Sequence, residues 1–410
     1  MAGSGEQSLL REVGLAGAVL LGLGSIVGTG VFVSLGLAVD LAGSAVVWAV
    51  AVAAFVALCN GLSSAQLAAS NPVSGGTYEY GYRYLHPAAG FTAGWLFLIA
   101  KSASAATAAL GIAAYVGIGA ERLPAMVALV VVTALVLAGI RRSNQANAVV
   151  VVLAVGSLAA LAVVAWPQAT DAASPRAGSF SQVAEAAALV FVAFTGYGRV
   201  ATLGEEVTSP RRNIPIAVVV TLVLTAALYV VVAFVQSRLG GGVGSGSALV
   251  PIAGVSGGEA LSGVVRIGAL AALVGVLLNL VLGLSRVVLA MGRRNDLPLR
   301  LSRLRGEGRT PAAAVVAVAG LVAGFVLIGD IRTTWSFSAL TVLVYYALTN
   351  LAALRQPPEE RRMSPVVQIV GLAGCLGLAV FVDPRMWAWG SGLVVVGLLW
   401  HGARRRRPVA

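Results

Sequence analysis

Apolar residues run in blocks of membrane length along nearly the whole chain, separated by short polar or arginine-bearing connections. A helix that crosses a bilayer needs about 20 such residues. The blocks fall at 14–38, 43–69, 88–119, 123–140, 147–166, 182–203, 214–236, 261–290, 312–329, 333–353, 364–382 and 386–402. In lipid every backbone polar group must be satisfied inside its own segment, so blocks of this length are read as helices. The pattern predicts an all-α polytopic membrane protein of about twelve spans. Residues 1–13 precede the first span and a basic tail, 403–410, follows the last.

Two blocks break the pattern at mid-span. The first contains Gly24-Ser25-Ile26-Val27-Gly28-Thr29-Gly30-Val31-Phe32, and the sixth contains Phe191-Val192-Ala193-Phe194-Thr195-Gly196-Tyr197-Gly198. Glycine in a helix interior costs about 1 kcal/mol relative to alanine. An interruption there frees N–H and C=O groups at membrane depth, which is tolerated where protein or a ligand satisfies them. One reading is therefore a pair of broken helices lining a binding site. The other is close packing, since Gly24 and Gly28 have GxxxG spacing. The interruptions sit five spans apart. Five is odd, so a second set of five spans would enter from the opposite side, as an inverted repeat. Paired glycine breaks at corresponding positions point to a transporter site. The expected organisation is a transporter core, 14–353, made of repeats at about 14–166 and 182–353, followed by two additional helices, 364–402. The halves show no clear residue identity, so the repeat rests on span count and the paired breaks.

Composition and charge sharpen this. Of 410 residues, 58% are hydrophobic and 11% charged, with a formal net charge of +12 and a mean hydropathy of +0.91. With the N-terminus in the cytoplasm, the cytoplasmic connections carry Arg83, Arg141, Arg142, Arg211, Arg212, Arg293, Arg294 and the tail Arg404 to Arg407, among others. The opposite side carries only Arg122, Arg176, Arg238 and Arg332, with Arg385 close to a span. That is the positive-inside bias, and an even span count puts both termini in the cytoplasm of a multi-pass cell-membrane protein. The basic charge belongs to topology and to lipid headgroups rather than to nucleic acid. The first block has no small-residue cleavage site and is followed by further spans, so it is not read as a removable signal peptide. Cys59 and Cys375 lie in apolar segments and predict no disulfide. His86 and His401 fall near membrane edges, and no His/Cys/Asp/Glu cluster has metal spacing. Glu205 and Glu206 stand beside Arg211 and Arg212, which favours an ion-paired structural role over a catalytic carboxylate pair. No enzyme, metal or cofactor is predicted.

The connection Asn71 to Tyr84 is rich in tyrosines and turn formers. Because tyrosine favours the membrane–water interface, it is expected to lie along the membrane surface.

Four separated pieces of the chain together resemble the amino acid–polyamine–organocation (APC) family of permeases. They are Gly24 to Phe32; Asn71 to Tyr80, with Pro72 and Ser74-Gly75-Gly76-Thr77-Tyr78; Phe194-Thr195-Gly196-Tyr197 with Glu205-Glu206-Val207 and Pro210 to Pro215; and Ser285 to Met291 with Asp296-Leu297-Pro298 and Thr310-Pro311. The resemblance implies a LeuT-like fold and a secondary transporter that takes up or exchanges amino acids. It also implies a site. Backbone N–H groups near Gly28, Thr29 and Gly30 would receive the substrate carboxylate, as the start of a half-helix offers free donors and a positive dipole end. Carbonyls near Ser25, Ile26, Phe191 and Phe194 would receive the α-ammonium, with Thr195 and Gly196 in the same motif. Tyr197 and Trp335 are candidates for selectivity or for packing. Symport with a proton, symport with sodium and substrate exchange are the alternatives for coupling; a receptor or scaffold on the same fold is the alternative class. The chain departs from the family pattern in two places. Gly198 and Arg199 stand where many relatives carry Glu, and Ala154 stands where some carry a fifth-helix Lys.

Lys101 bears on that second departure. It is the only lysine in the chain. It lies 14 residues beyond Pro87, roughly 20 Å along the third helix and so near the bilayer midplane. Ser104, Ala105 and Ala108 follow on a small-residue face, as on a helix side turned into a bundle. Lysine can lose its proton when desolvated and arginine cannot. Lys101 is accordingly expected to be an ion-coupling residue that titrates. A permanent strut bonded to a broken helix, or a side chain snorkelling to the interface, are the other readings.

Overall fold

The computed structural model describes residues 13–71, 75–119, 122–139, 144–198, 207–240, 247–304 and 310–405. Expectations attached to Pro72 and Ser74, Arg199, Glu205, Glu206, residues 1–12 and the tail beyond Arg405 lie outside them. The described residues are helical throughout, with two isolated β-bridges, Val13 to Val207 and Gly43 to Ala177, and no strand.

In chain order the helices are α1 (Leu15–Ile26), α2 (Leu35–Ala42), α3 (Val46–Ser70), α4 (Thr77–Tyr84), α5 (Pro87–Val116), α6 (Arg122–Leu137), α7 (Asn144–Asp171) and α8 (Phe180–Phe194). They continue as α9 (Pro210–Arg238), α10 (Leu249–Arg293), α11 (Ala312–Ile328), α12 (Ile331–Leu354), α13 (Pro365–Val380) and α14 (Pro384–Arg405). Among them eight segments are long and apolar enough to cross a membrane. Two shorter apolar helices are α6 and α11, and α13 and α14 form a pair bent by 115°. This is a multi-pass helical membrane protein.

Helix boundaries follow local chemistry. α5 starts at Pro87, where the missing N–H costs nothing, and His86 accepts from the Ala88 N–H. α8 opens with a capping box between Ser179 and Gln182. α10 is interrupted at Gly258, whose φ of +70° suits glycine alone at low cost, so a short leading helix turns into the long span. Outward faces are apolar, with Trp48, Phe55, Val163 and Leu399 exposed as expected against lipid.

α5 is the central element. The hydropathic stretch of α5 is 94% buried, and it packs against α4, α10, α11, α12 and α14. Its small residues from Ala103 to Ala113 let neighbouring backbones approach. Polar rungs cross from it to α12: Ser104 to Ser338 at 2.7 Å and Thr107 to Thr334 at 2.8 Å.

The tyrosine-rich connection is helical, and one side of it packs into the protein. It forms α4, and Tyr78 and Tyr80 are buried in protein. Both hydroxyls on one face of α4, Tyr78 at 2.6 Å and Tyr82 at 2.7 Å, donate to Oδ2 of Asp296 just past α10. This buried carboxylate ties α4 to the end of α10.

Candidate functional site

The first span is broken. α1 ends at Ile26, Val27 leaves the helix with ψ 104°, and a turn of π-helix runs from Gly30 to Ser34 before α2. The first backbone bond of the second half runs from Phe32 N–H to the Gly28 carbonyl. The N–H groups of Gly28, Thr29, Gly30 and Val31 therefore precede it, as the four donors that a helix start leaves unpaired. The Thr29 hydroxyl is also buried without a partner.

The sixth span changes character as well. α8 stops at Phe194 and a 3-10 turn covers Thr195–Tyr197. The Thr195 N–H and the Thr195 hydroxyl both donate to the Val192 carbonyl, the latter at 2.6 Å. The Tyr346 hydroxyl donates to the Thr195 carbonyl at 3.3 Å.

The glycines do both things their sequence allowed. A Cβ on Gly24 would overlap the Asn147 amide of α7, and one on Gly28 would overlap Val276 of α10. They pack, but against two different helices rather than along one GxxxG seam. A Cβ on Gly196 would overlap the Ser25 carbonyl oxygen, so the two breaks touch backbone to backbone.

A cavity of about 390 Å³ opens at this junction, within the range of small-molecule sites. Of the predicted site residues it brings together Ser25, Ile26, Thr29, Gly30, Lys101, Thr195 and Gly196, with Trp335 beside them. It extends towards α4, whose Thr77, Tyr78 and Tyr80 line it. Gly28, Phe191, Phe194 and Tyr197 are outside the lining. Their side chains or surfaces pack instead: Phe191 and Tyr197 against Tyr346, Phe194 against Tyr229. The Ile26 carbonyl accepts from the Tyr229 hydroxyl at 3.0 Å, which occupies one of its two lone pairs. Trp335 is pinned by its indole N–H to the Leu189 carbonyl at 2.9 Å.

Lys101 reaches this junction. Its side chain is buried, and Nζ donates to Thr195 Oγ1 at 2.7 Å. That bond joins α5 to the broken end of α8 and is incompatible with snorkelling. Ala154, where a fifth-helix lysine would stand, is fully buried.

Sequence reasoning missed Tyr345, Tyr346, Asn279 and Arg286, which also line the cavity. The adjacent tyrosines of the tenth span were the one visible signal. It also missed the role of Asp296. Burial and that carboxylate push the Tyr78 hydroxyl far above the ordinary phenol range, so it stays a donor.

The family model described as amino acid permease matches residues 17–399. The chain belongs to the amino acid permease family. An uncharacterized transporter of Mycobacterium tuberculosis is 40% identical over 97% of this chain and 92% of its own length. The branched-chain amino acid permease BcaP of Bacillus subtilis is 28% identical over 92% of this chain and 89% of its own. The methylthioribose transporter of the same organism is 26% identical over 97% and 94%. This permease is thus a transporter, as its membrane-length helices and relatives agree, and the APC resemblance of its four motifs holds over nearly the whole chain.

Proposed function

We propose that this permease moves amino acids across the membrane by alternating access and couples the movement to protons through Lys101. The observation that carries this reading is the buried Lys101–Thr195 hydrogen bond in a cavity bounded by both helix breaks. A lysine at that depth can exchange a proton with the substrate site, which an arginine cannot. Its position takes over the task of the fifth-helix cation missing at Ala154.

The framework of the proposal is a LeuT-like fold of twelve spans, with spans one to five and six to ten as inverted repeats, two further helices, and both termini cytoplasmic. The contact of Gly196 with the Ser25 carbonyl supports it, because a pseudo-twofold axis brings the two discontinuities together. Amino acids are read by main chain: the carboxylate by the unpaired N–H groups of Gly28, Thr29 and Gly30, the ammonium by carbonyls near Ser25, Ile26, Phe191 and Phe194. The name of the branched-chain relative supports amino acids as the substrate class.

The test is radiolabelled amino-acid uptake into proteoliposomes, with and without sodium, across a range of pH. The parent takes up substrate without sodium, driven by an inward proton gradient. Lys101→Ala and Lys101→Arg lose that response. Normal proton-driven uptake by Lys101→Arg would remove the proton role and leave Lys101 a charged strut.

A further inference from the structure

The charge of the cavity carries more than its existence. Among the described lining residues there are two cations, Lys101 within and Arg286 exposed at the mouth, and no carboxylate. The remaining lining is apolar or neutral, including Asn279, Ser104 and the tyrosines of α4 and α12. Carboxylates do stand behind the wall on the α4 side, but each already has partners: Glu79 has Arg294, and Asp296 has Tyr78, Tyr82 and His401.

Lys101 has three N–H donors, and among the described residues they meet one acceptor, the Thr195 hydroxyl. That hydroxyl is neutral and spends its own proton on the Val192 carbonyl. A buried ammonium whose one described partner is a neutral hydroxyl favours an anionic acceptor. The start of the second half of span one offers a carboxylate a separate receptor in the N–H groups of Thr29 and Gly30, which line the cavity ahead of the first backbone bond of that half. The cavity thus has two anion-receptive points, one of main chain and one of side chain.

Resting on the amino-acid transporter reading, we infer that the preferred substrate is an amino acid with a second carboxylate on its side chain, held by Lys101. Such a molecule satisfies both points and brings a net negative charge into a positive cavity. A neutral amino acid leaves Lys101 without an anion, and a cationic one adds a like charge. Pairing with the ammonium form also makes substrate and proton bind together, which gives symport a physical cause: affinity falls as pH rises and Lys101 loses its proton. The titratable or charged groups that share the cavity with Lys101 are Arg286 of α10, Tyr78 and Tyr80 of α4, and Tyr345 and Tyr346 of α12; α1 and α8 contribute neutral groups only.

The experiment is competition binding on the purified full chain, comparing L-glutamate and L-aspartate with their uncharged isosteres L-glutamine and L-asparagine, and with L-leucine and L-arginine. At least one dicarboxylic amino acid binds ten-fold or more tightly than its amide. Lys101→Met brings acid and amide within about three-fold of each other, while Lys101→Arg keeps the preference for the acid and loses its pH dependence. Leucine, arginine or an amide binding as tightly as the acids would overturn the inference and leave the amino-acid reading standing. A monodisperse protein that binds none of the six would overturn both. If Lys101→Met does not fold, the parent's acid-to-amide ratio decides alone.

Discussion

Gly196 lies so close to the carbonyl oxygen of Ser25 that a Cβ at position 196 would overlap it. One backbone thus rests on another at the point where the two broken spans meet. A backbone oxygen cannot swing aside as a side chain would, so a methyl group here must push one break away from the other. Overpacking of this kind costs about 1–3 kcal/mol.

The first prediction is that Gly196→Ala lowers the melting temperature and abolishes uptake, whereas Gly320→Ala, where a Cβ meets nothing within 4 Å, leaves both at or above the parent level. Melting and uptake of the two variants in parallel check this. Equal uptake by Gly196→Ala and the parent would mean that the breaks can separate without loss, and that their contact is incidental.

The breaks were legible because glycine at mid-span contradicts what a spanning helix needs, and Lys101 because a lone lysine at that depth contradicts it more sharply. Both signals are local conflicts in the sequence. What the sequence could not show is partnership at long range. Lys101 and Thr195 are 94 positions apart, and nothing in either segment names the other. The contact of α4 with Asp296 was hidden for the same reason. Tyr78 donates to Asp296, more than 200 positions away, and neither stretch names the other. Gly28 shows a third limit: its spacing fitted packing and breakage alike, and the structure gives it both.

A pH dependence follows from α4. Burial pushes the Glu79 carboxyl above its ordinary range, the Arg294 guanidinium beside it pulls it back in part, and the Asp296 carboxylate pushes it up again. The net shift is upward, so the folded form holds this proton more tightly than the unfolded chain. The group therefore favours folding most when protonated, and that contribution is lost as pH rises from the ordinary carboxyl range through the raised folded value. The second prediction is that melting temperature falls less steeply over this window in Glu79→Gln than in the parent, and more steeply in Arg294→Ala. Thermal melts at a series of pH values check it; parallel curves for the three proteins would show that Glu79 titrates as if unfolded.

The last prediction concerns how the final helix reaches the cavity. Oδ1 of Asp296 stands 3.2 Å from Nδ1 of His401 on α14, and both side chains are over nine-tenths buried. The other oxygen accepts from Tyr78, which lines the cavity, and the His401 ring stacks on Phe91 of α5 with centroids 4.4 Å apart. The Trp400 indole donates to the Asp296 carbonyl at 2.9 Å. One carboxylate thus ties α14, which lies beyond the ten spans of the expected repeats, to the helix at the cavity mouth. Leaving a buried polar group without its partner costs about 1–3 kcal/mol. In Asp296→Asn the charge is gone and the NH₂ group faces either the two phenol donors or His401, so the carboxylate's full set of contacts is not kept. The variant melts lower and transports more slowly. His401→Phe keeps a ring against Phe91 and removes the polar contact with Asp296, while Asp296 keeps Tyr78 and Tyr82, so alone it costs less. The double variant behaves like Asp296→Asn, with the two effects falling short of additivity by more than about 1 kcal/mol, as expected for residues in contact. Melting and uptake of the two single variants and the double one measure this. Additive losses would show that His401 and Asp296 act independently, and that α14 is not coupled to the cavity mouth through this pair.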